Sequence, residues 1–298
     1  SYSRNMFLET TLLFKTMMIL AGQVGIVFGL SYFCIKGARW AYENNTTFLG
    51  YYYRGAMNMN RQLDLVPYKK APTKYPIEMT KLIEATTDEE TGKKTEAFAK
   101  LKLAKNKEEV LQFLKEGYKY SNESTFFNAL FFFWVATLFA TLFFAASSIS
   151  IMTGMILFTM QSIAFGILLS FILLEMDEND GLVATKIVFF ITVLTGYIGY
   201  SDFYSFSENT ILQVILLLSL FGLIIFSLIR TFIGFSRSVI RIKAIFGAMV
   251  FSLYLLIDFN LIKRREAVSN DWDTAFEMAF TIYVDLMNLL LEILDAMS

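Results

Sequence analysis

Asp258 and Asp285 are the residues of this chain with the clearest capacity for chemistry, because each carries a carboxylate into a long apolar segment. A charged carboxylate at the bilayer centre costs roughly 2.5 to 3.5 kcal/mol on insertion scales. Two of them in neighbouring helices must therefore be protonated, paired with one another, or line a wet pathway. Close carboxylates in a poorly hydrated site cannot easily both ionise, so such a pair titrates as a unit and can sense pH near neutrality. Asn260 stands two residues beyond the first acid and Asn288 one helical turn beyond the second, as supporting polar groups.

The segments that must position these acids are hydrophobic enough to cross a membrane. Mean hydropathy is +0.50, with 55% apolar and only 18% charged residues, a composition of integral membrane proteins. From Ser124 to Leu174 there is no charged side chain, a run about twice the roughly 20 residues that span the hydrocarbon layer. Seven spans are expected, at about 14–35, 125–148, 151–175, 183–203, 209–230, 239–260 and 274–296. Ser147, Ser148 and Ser150 separate the second and third, which should pair antiparallel. The seventh is only semi-hydrophobic. At helical spacing Met278, Ile282, Asp285, Leu289 and Glu292 share one of its faces, so the other helices should wrap it.

Between the first two spans lies a soluble segment, about Arg54 to Glu123, holding all three prolines, Pro67, Pro72 and Pro76. Its opening should be an extended strap, followed by two or three helices. The last of these is marked by a capping box, Asn106 with Glu109 three residues on, and by an apolar stripe of Val110, Leu111, Phe113, Leu114 and Tyr118. That stripe should dock on the membrane domain, on lipid, or on a partner subunit. The expected organisation is thus an N-terminal segment with the first span (1–53), a soluble helical insertion (54–123) and a six-helix membrane core (124–298).

Several functions are excluded. With no histidine, Ser-His and Cys-His catalysis and His-ligated zinc or haem are absent. Cys34 alone cannot form an internal disulfide or hold a cluster and reads as a small apolar residue. A net charge of -1 argues against nucleic acid as a partner. No phosphate loop, metal-ligand set or nucleophile-base pairing is present, so neither an enzyme nor a cofactor is expected. Glu175, Asp177, Glu178, Asp180 and Gly181 miss the EF-hand register and read as a wet turn. The string Thr195 to Tyr200 superficially matches a potassium-filter loop, but it sits inside a span. Its glycines, Gly196 and Gly199, should instead let helices approach closely. Arg230, Arg237, Arg241 and Lys243 cluster at the turn before the sixth span, on the insertion's side if seven spans alternate. The chain starts at Ser1 without an initiator methionine, and removal of an organellar presequence is expected.

The run Tyr254 to Asp258, the continuation Lys263-Arg264-Arg265-Glu266, and the ending Ile282-Tyr283-Val284-Asp285-Leu286-Met287-Asn288-Leu289-Leu290 resemble the transmembrane Bax-inhibitor-motif (Bax inhibitor-1) family. In that family the penultimate helix ends in a Tyr-Asp-Thr-Gln-like string and the last carries a Tyr-x-Asp-x-x-Asn-Leu-like string. The basic stretch is similar to that of the mitochondrial, growth-hormone-inducible transmembrane protein branch. The resemblance implies an all-α, polytopic seven-helix bundle. It also implies that Asp258 and Asp285 face each other, share a proton-sensitive hydrogen bond and gate a calcium or cation pathway. Two departures stand out: Phe259-Asn260 replaces Thr-Gln, and the arginine that the family often places in an early core helix has no counterpart between Ser124 and Leu174. The second departure, with the long insertion, supports an alternative role as an accessory subunit of a mitochondrial inner-membrane complex. Membrane lipids, calcium or protons, and other subunits bound through residues 54–123 are the expected partners.

Overall fold

The computed structural model describes residues 11–44, 46, 48–57, 63–68, 75–83, 98–120, 126–147, 150–174, 176 and 178–297. Two compact units result, one formed by residues up to 33 and from 130 onward, the other by residues 34–129.

All seven expected spans are helices: α1 (Leu12–Glu43), α3 (Phe126–Ser147), α4 (Ile151–Leu174), α5 (Glu178–Ser201), α6 (Thr210–Phe232), α7 (Arg237–Glu266) and α8 (Trp272–Met297). The membrane part of this polytopic protein is all-α: six of these helices are long and apolar enough to cross a bilayer. The other, α8, carries the acidic stripe. Met278, Ile282 and Leu289 on that stripe are buried, as a helix too polar for lipid requires. Local signals set the ends. Ser236 caps α7 by accepting from Val239 N, while Lys263, Arg264 and Arg265 in its last turn oppose the negative end of the helix dipole. Asn209 caps α6 in the same way through Leu212 N.

In the membrane unit α8 packs against α7, α5 and α4, and α5 packs against α7. Phe158 of α4 is fully buried at the centre, with its ring against those of Phe276, Phe280 and Tyr283 of α8. The expected close approach at the α5 glycines is seen at Gly199, where a Cβ would lie 2.5 Å from Leu256 O of α7. The Thr195 to Tyr200 string is helical throughout. Trp134 meets Phe165 across the α3 and α4 pair at 5.9 Å. Much of α6 is exposed, as a helix facing lipid would be.

The insertion departs from the expected two or three helices. Its described residues form a hairpin, β1 (Tyr52–Met57) with β2 (Leu63–Tyr68), and a three-stranded antiparallel sheet in the order β4 (Phe98–Ala104), β3 (Ile77–Ile83), β5 (Lys119–Tyr120). One helix, α2 (Lys107–Lys115), is present. Alternation is the physical reason: Ile77 and Met79 turn to one face of β3 and are buried, whereas Glu78 between them is exposed. The extended strap is realised in part, since Pro67 lies in β2 and Pro76 directly precedes β3; Pro72 lies outside the described residues.

The Asn106 cap of α2 forms, with the return bond from Glu109 one residue before the position a capping box gives it. Asn106 Oδ1 accepts from Glu109 N at 2.8 Å, and Glu109 Oε2 reaches back to Lys105 N at 2.7 Å. The apolar stripe does not wait for the membrane or for a partner. Val110, Phe113, Leu114 and Tyr118 pack on Ile77, Met79 and Ala104 of the insertion's own sheet, and Leu111 alone of the stripe turns outward, 51% exposed. Lys102 closes this small core, lying 4.7 Å and 4.8 Å from the Phe113 and Tyr118 ring centroids while pairing with Glu116 at 2.7 Å.

Candidate functional site: two carboxylates between the last helices

Asp258 stands on α7 one turn after Tyr254, and Asp285 near the middle of α8. Antiparallel packing of α7 on α8 brings their carboxyl groups within hydrogen-bonding reach of each other. Asp258 is buried, 5% exposed, and its Oδ2 has no donor among the described groups. Asp285 is less enclosed. Tyr254 lies in electrostatic range of both acids. Two carboxylates offer each other only acceptors, so the contact is satisfied by a proton held between them or by a cation that both can ligate. No basic side chain acts on either acid among the described residues, and α3 and α4 carry no charge. Among the described residues the pair thus has no basic counter-charge.

The two asparagines do not join the acids. Asn288 donates to Val284 O of its own helix at 2.9 Å. Asn260, fully buried, is instead the clamp of the α5 to α6 connection. Its Nδ2 donates to Gly199 O (3.1 Å), Asp202 Oδ1 (3.0 Å) and Tyr204 O (3.2 Å), and its Oδ1 accepts from Ser207 N at 2.9 Å. Arg264, one turn on, adds ion pairs to Asp202 at 3.3 Å and Glu208 at 2.6 Å and a hydrogen bond to Ser205. This clamp holds the turn between α5 and α6 against α7, two residues from Asp258.

Two further polar groups escaped the reading of the sequence. Gln23 of α1 donates to Thr159 at 3.2 Å and accepts from Ser162 at 2.7 Å, and Ser31 donates to Gly166 O at 2.7 Å. These bonds tie α1 to α4 in the interior, where a neutral amide must find partners. Lys243 of α7 pairs with Glu292 at 2.9 Å and Asp295 at 3.4 Å, and Arg230 of α6 pairs with Asp295 at 2.9 Å. The acidic half of that cluster was legible, because Glu292 recurs seven residues after Asp285 on the same face. Its basic partners, Arg230 and Lys243, stand out in the sequence only as part of the cluster at the turn before the sixth span. Of the acidic turn after α4, Glu175 and Asp177 lie outside the described residues and Gly181 lies within α5. No group of three or more His, Cys, Asp or Glu suited to a metal ion occurs among the described residues.

No curated protein matches this chain. The family described as "Inhibitor of apoptosis-promoting Bax1" matches residues 113–298. That stretch is more than half of the chain, includes α3 to α8 entire and contains both aspartates. With the facing acids of the last two helices, the match shows that this multi-pass membrane protein belongs to the Bax inhibitor-1 family.

Proposed function

We propose that the chain is a proton-sensitive cation channel or exchanger whose pathway runs through Asp258 and Asp285, with calcium as the first cation to test. The observation that carries this reading is the meeting of the buried Asp258 with Asp285, with no basic group among the described residues acting on either. A site of that kind exchanges protons for cations: with one proton between the carboxyls it carries a single negative charge and stays compact, and with that proton gone it carries two and repels itself until a cation enters. Helices α7 and α8 are the two walls that this repulsion would part.

The test is calcium flux into proteoliposomes of the purified protein over a pH series. Flux should depend on pH in the native protein, and Asp258→Asn and Asp285→Asn should each flatten that dependence. Unchanged flux in both variants defeats the proposal. The mitochondrial inner membrane is the proposed location, on the likeness of Lys263-Arg264-Arg265-Glu266 to the mitochondrial branch; fractionation of native membranes tests it, and recovery elsewhere refutes it.

A further inference from the structure

On α8 the residues Asp285, Asn288, Glu292 and Asp295 follow one another at spacings of three, four and three. This is the repeat of a single helix face, and it carries polar groups from the aspartate pair to the end of the helix. Glu292 stands seven residues beyond Asp285, about 10 Å along the axis. Opposite the outer part of this stripe, at the end where α6 turns into α7, stands Lys243. Its ammonium lies 3.1 Å and 2.9 Å from the two oxygens of Glu292 and 3.4 Å from Asp295 Oδ2. The pair is well enclosed, with 10% of the Lys243 side chain and 13% of the Glu292 side chain exposed.

The backbone has been shaped for this contact. A Cβ on Gly247, one turn after Lys243, would fall 2.6 Å from Glu292 Cδ, so glycine leaves the room in which the Glu292 carboxyl lies against α7. Arg230 takes up the second acid at 2.9 Å, so three helices, α6, α7 and α8, are pinned at one point by opposite charges.

We infer that Lys243 is a tethered cation that plugs the outer end of this polar stripe, closing the route from the α6 to α7 end of the bundle to Asp285. The inference rests on reading the aspartate pair as a cation site. An ammonium held by two carboxylates occupies the place where an entering cation would first be stripped of water, and it competes there at the effective concentration of a covalent tether. Opening at this end requires Lys243 to leave Glu292. The Lys243 and Glu292 pair is therefore a gating contact, distinct from the inner acids.

Thiol labelling tests it without relying on flux. Asn288→Cys, in a Cys34→Ser background, places a thiol between the inner and outer acids; the protein is reconstituted in lipid and exposed to a cationic, membrane-impermeant methanethiosulfonate. With Lys243 and Glu292 intact the thiol should label slowly. Lys243→Met combined with Glu292→Gln removes the plug without leaving a buried lone charge, and labelling should speed up about tenfold or more. The swap Lys243→Glu with Glu292→Lys restores an ion pair and should restore slow labelling. Equal rates in all three, with each folded by gel filtration, overturn the inference, as does fast labelling in the swap. Calcium flux measured on the same samples separates the two ideas. Labelling that opens on removal of the plug, beside flux indifferent to Asp258→Asn, keeps the plug and discards the transport reading. Flux that depends on Asp258 beside labelling indifferent to Lys243 does the reverse.

Discussion

Asn260→Ala should be among the most damaging single substitutions of a neutral side chain in this protein. The side chain is fully buried, and its two N–H groups serve three acceptors, Gly199 O, Tyr204 O and Asp202 Oδ1, while its oxygen takes the Ser207 N–H. Two donated hydrogens and one accepted bond count as three interactions. A neutral bond contributes about 0.5 to 1.5 kcal/mol net, and one to a charged group about 1.5 to 3. Truncation also leaves groups of the turn without a partner. The expected loss is about 3 to 5 kcal/mol of unfolding free energy. It is read by denaturant unfolding in mild detergent, followed by fluorescence of Trp134 and Trp272, both in the membrane unit. Asn260→Asp keeps the acceptor for Ser207 but sets a second carboxylate against Asp202, so it should rescue nothing. Because Asn260 clamps a turn and does not touch the acids, the alanine variant should retain pH-dependent flux wherever it stays folded. A loss below about 0.5 kcal/mol, the level of an ordinary surface change, refutes the clamp. Loss of pH dependence in a folded variant refutes its separation from the acids.

Other expectations follow from neighbouring contacts. Gly199→Ala drives a Cβ to 2.5 Å from Leu256 O and 3.0 Å from Asn260 N, backbone atoms that cannot swing aside; about 1 to 3 kcal/mol should be lost in the same unfolding assay. Gly196→Ala is its control. The nearest atoms there belong to the Phe259 ring at 3.5 Å, so the variant should be neutral or stabilised by up to about 1 kcal/mol of helix propensity. Phe158→Ala empties the centre of the α4 and α8 contact and should cost about 3 to 5 kcal/mol. Asp271, which caps α8 by accepting from Thr274 N at 2.8 Å, has its carboxyl held below the ordinary 3.8 by hydrogen bonds from the Thr274 side chain and backbone. A lowered folded-state value means that the stabilisation is complete above the ordinary value and is lost as pH falls through the lower one. Asp271→Ala should therefore cost about 1 kcal/mol at neutral pH, and acid titration of both proteins should show the difference shrinking as pH falls below 3.8 and gone once pH is below the lowered folded-state value.

The membrane fold was legible because lipid leaves few solutions. Spans must be helices, and their lengths follow from hydrocarbon thickness. The two acids were legible for the same reason, since a carboxylate in an apolar run demands a partner. The insertion was misread where water permits choice. Between Ile77 and Ala104 the alternation that marks β3 and β4 is interrupted by Leu101 and Leu103, which are exposed, and by Lys102, whose stem covers aromatic rings. Hydrophobicity alone points those residues the wrong way. In α2 the stripe was correct apart from Leu111, and the surface beneath it was missed, because Ile77 and Met79 come from β3, some thirty residues earlier. Asn260 could not be assigned from sequence either: its partners lie on α5 and in the turn after it, more than fifty residues away.

The most direct measurement is a double-mutant cycle on the two aspartates. Unfolding free energies are compared for the native protein, Asp258→Asn, Asp285→Asn and the double variant in one detergent and at one pH. If the carboxyls meet between α7 and α8 and share one charge-compensating ion, the effects should be coupled by about 1 kcal/mol or more. Additivity within about 0.5 kcal/mol would mean that the two acids act independently, and that would contradict the account.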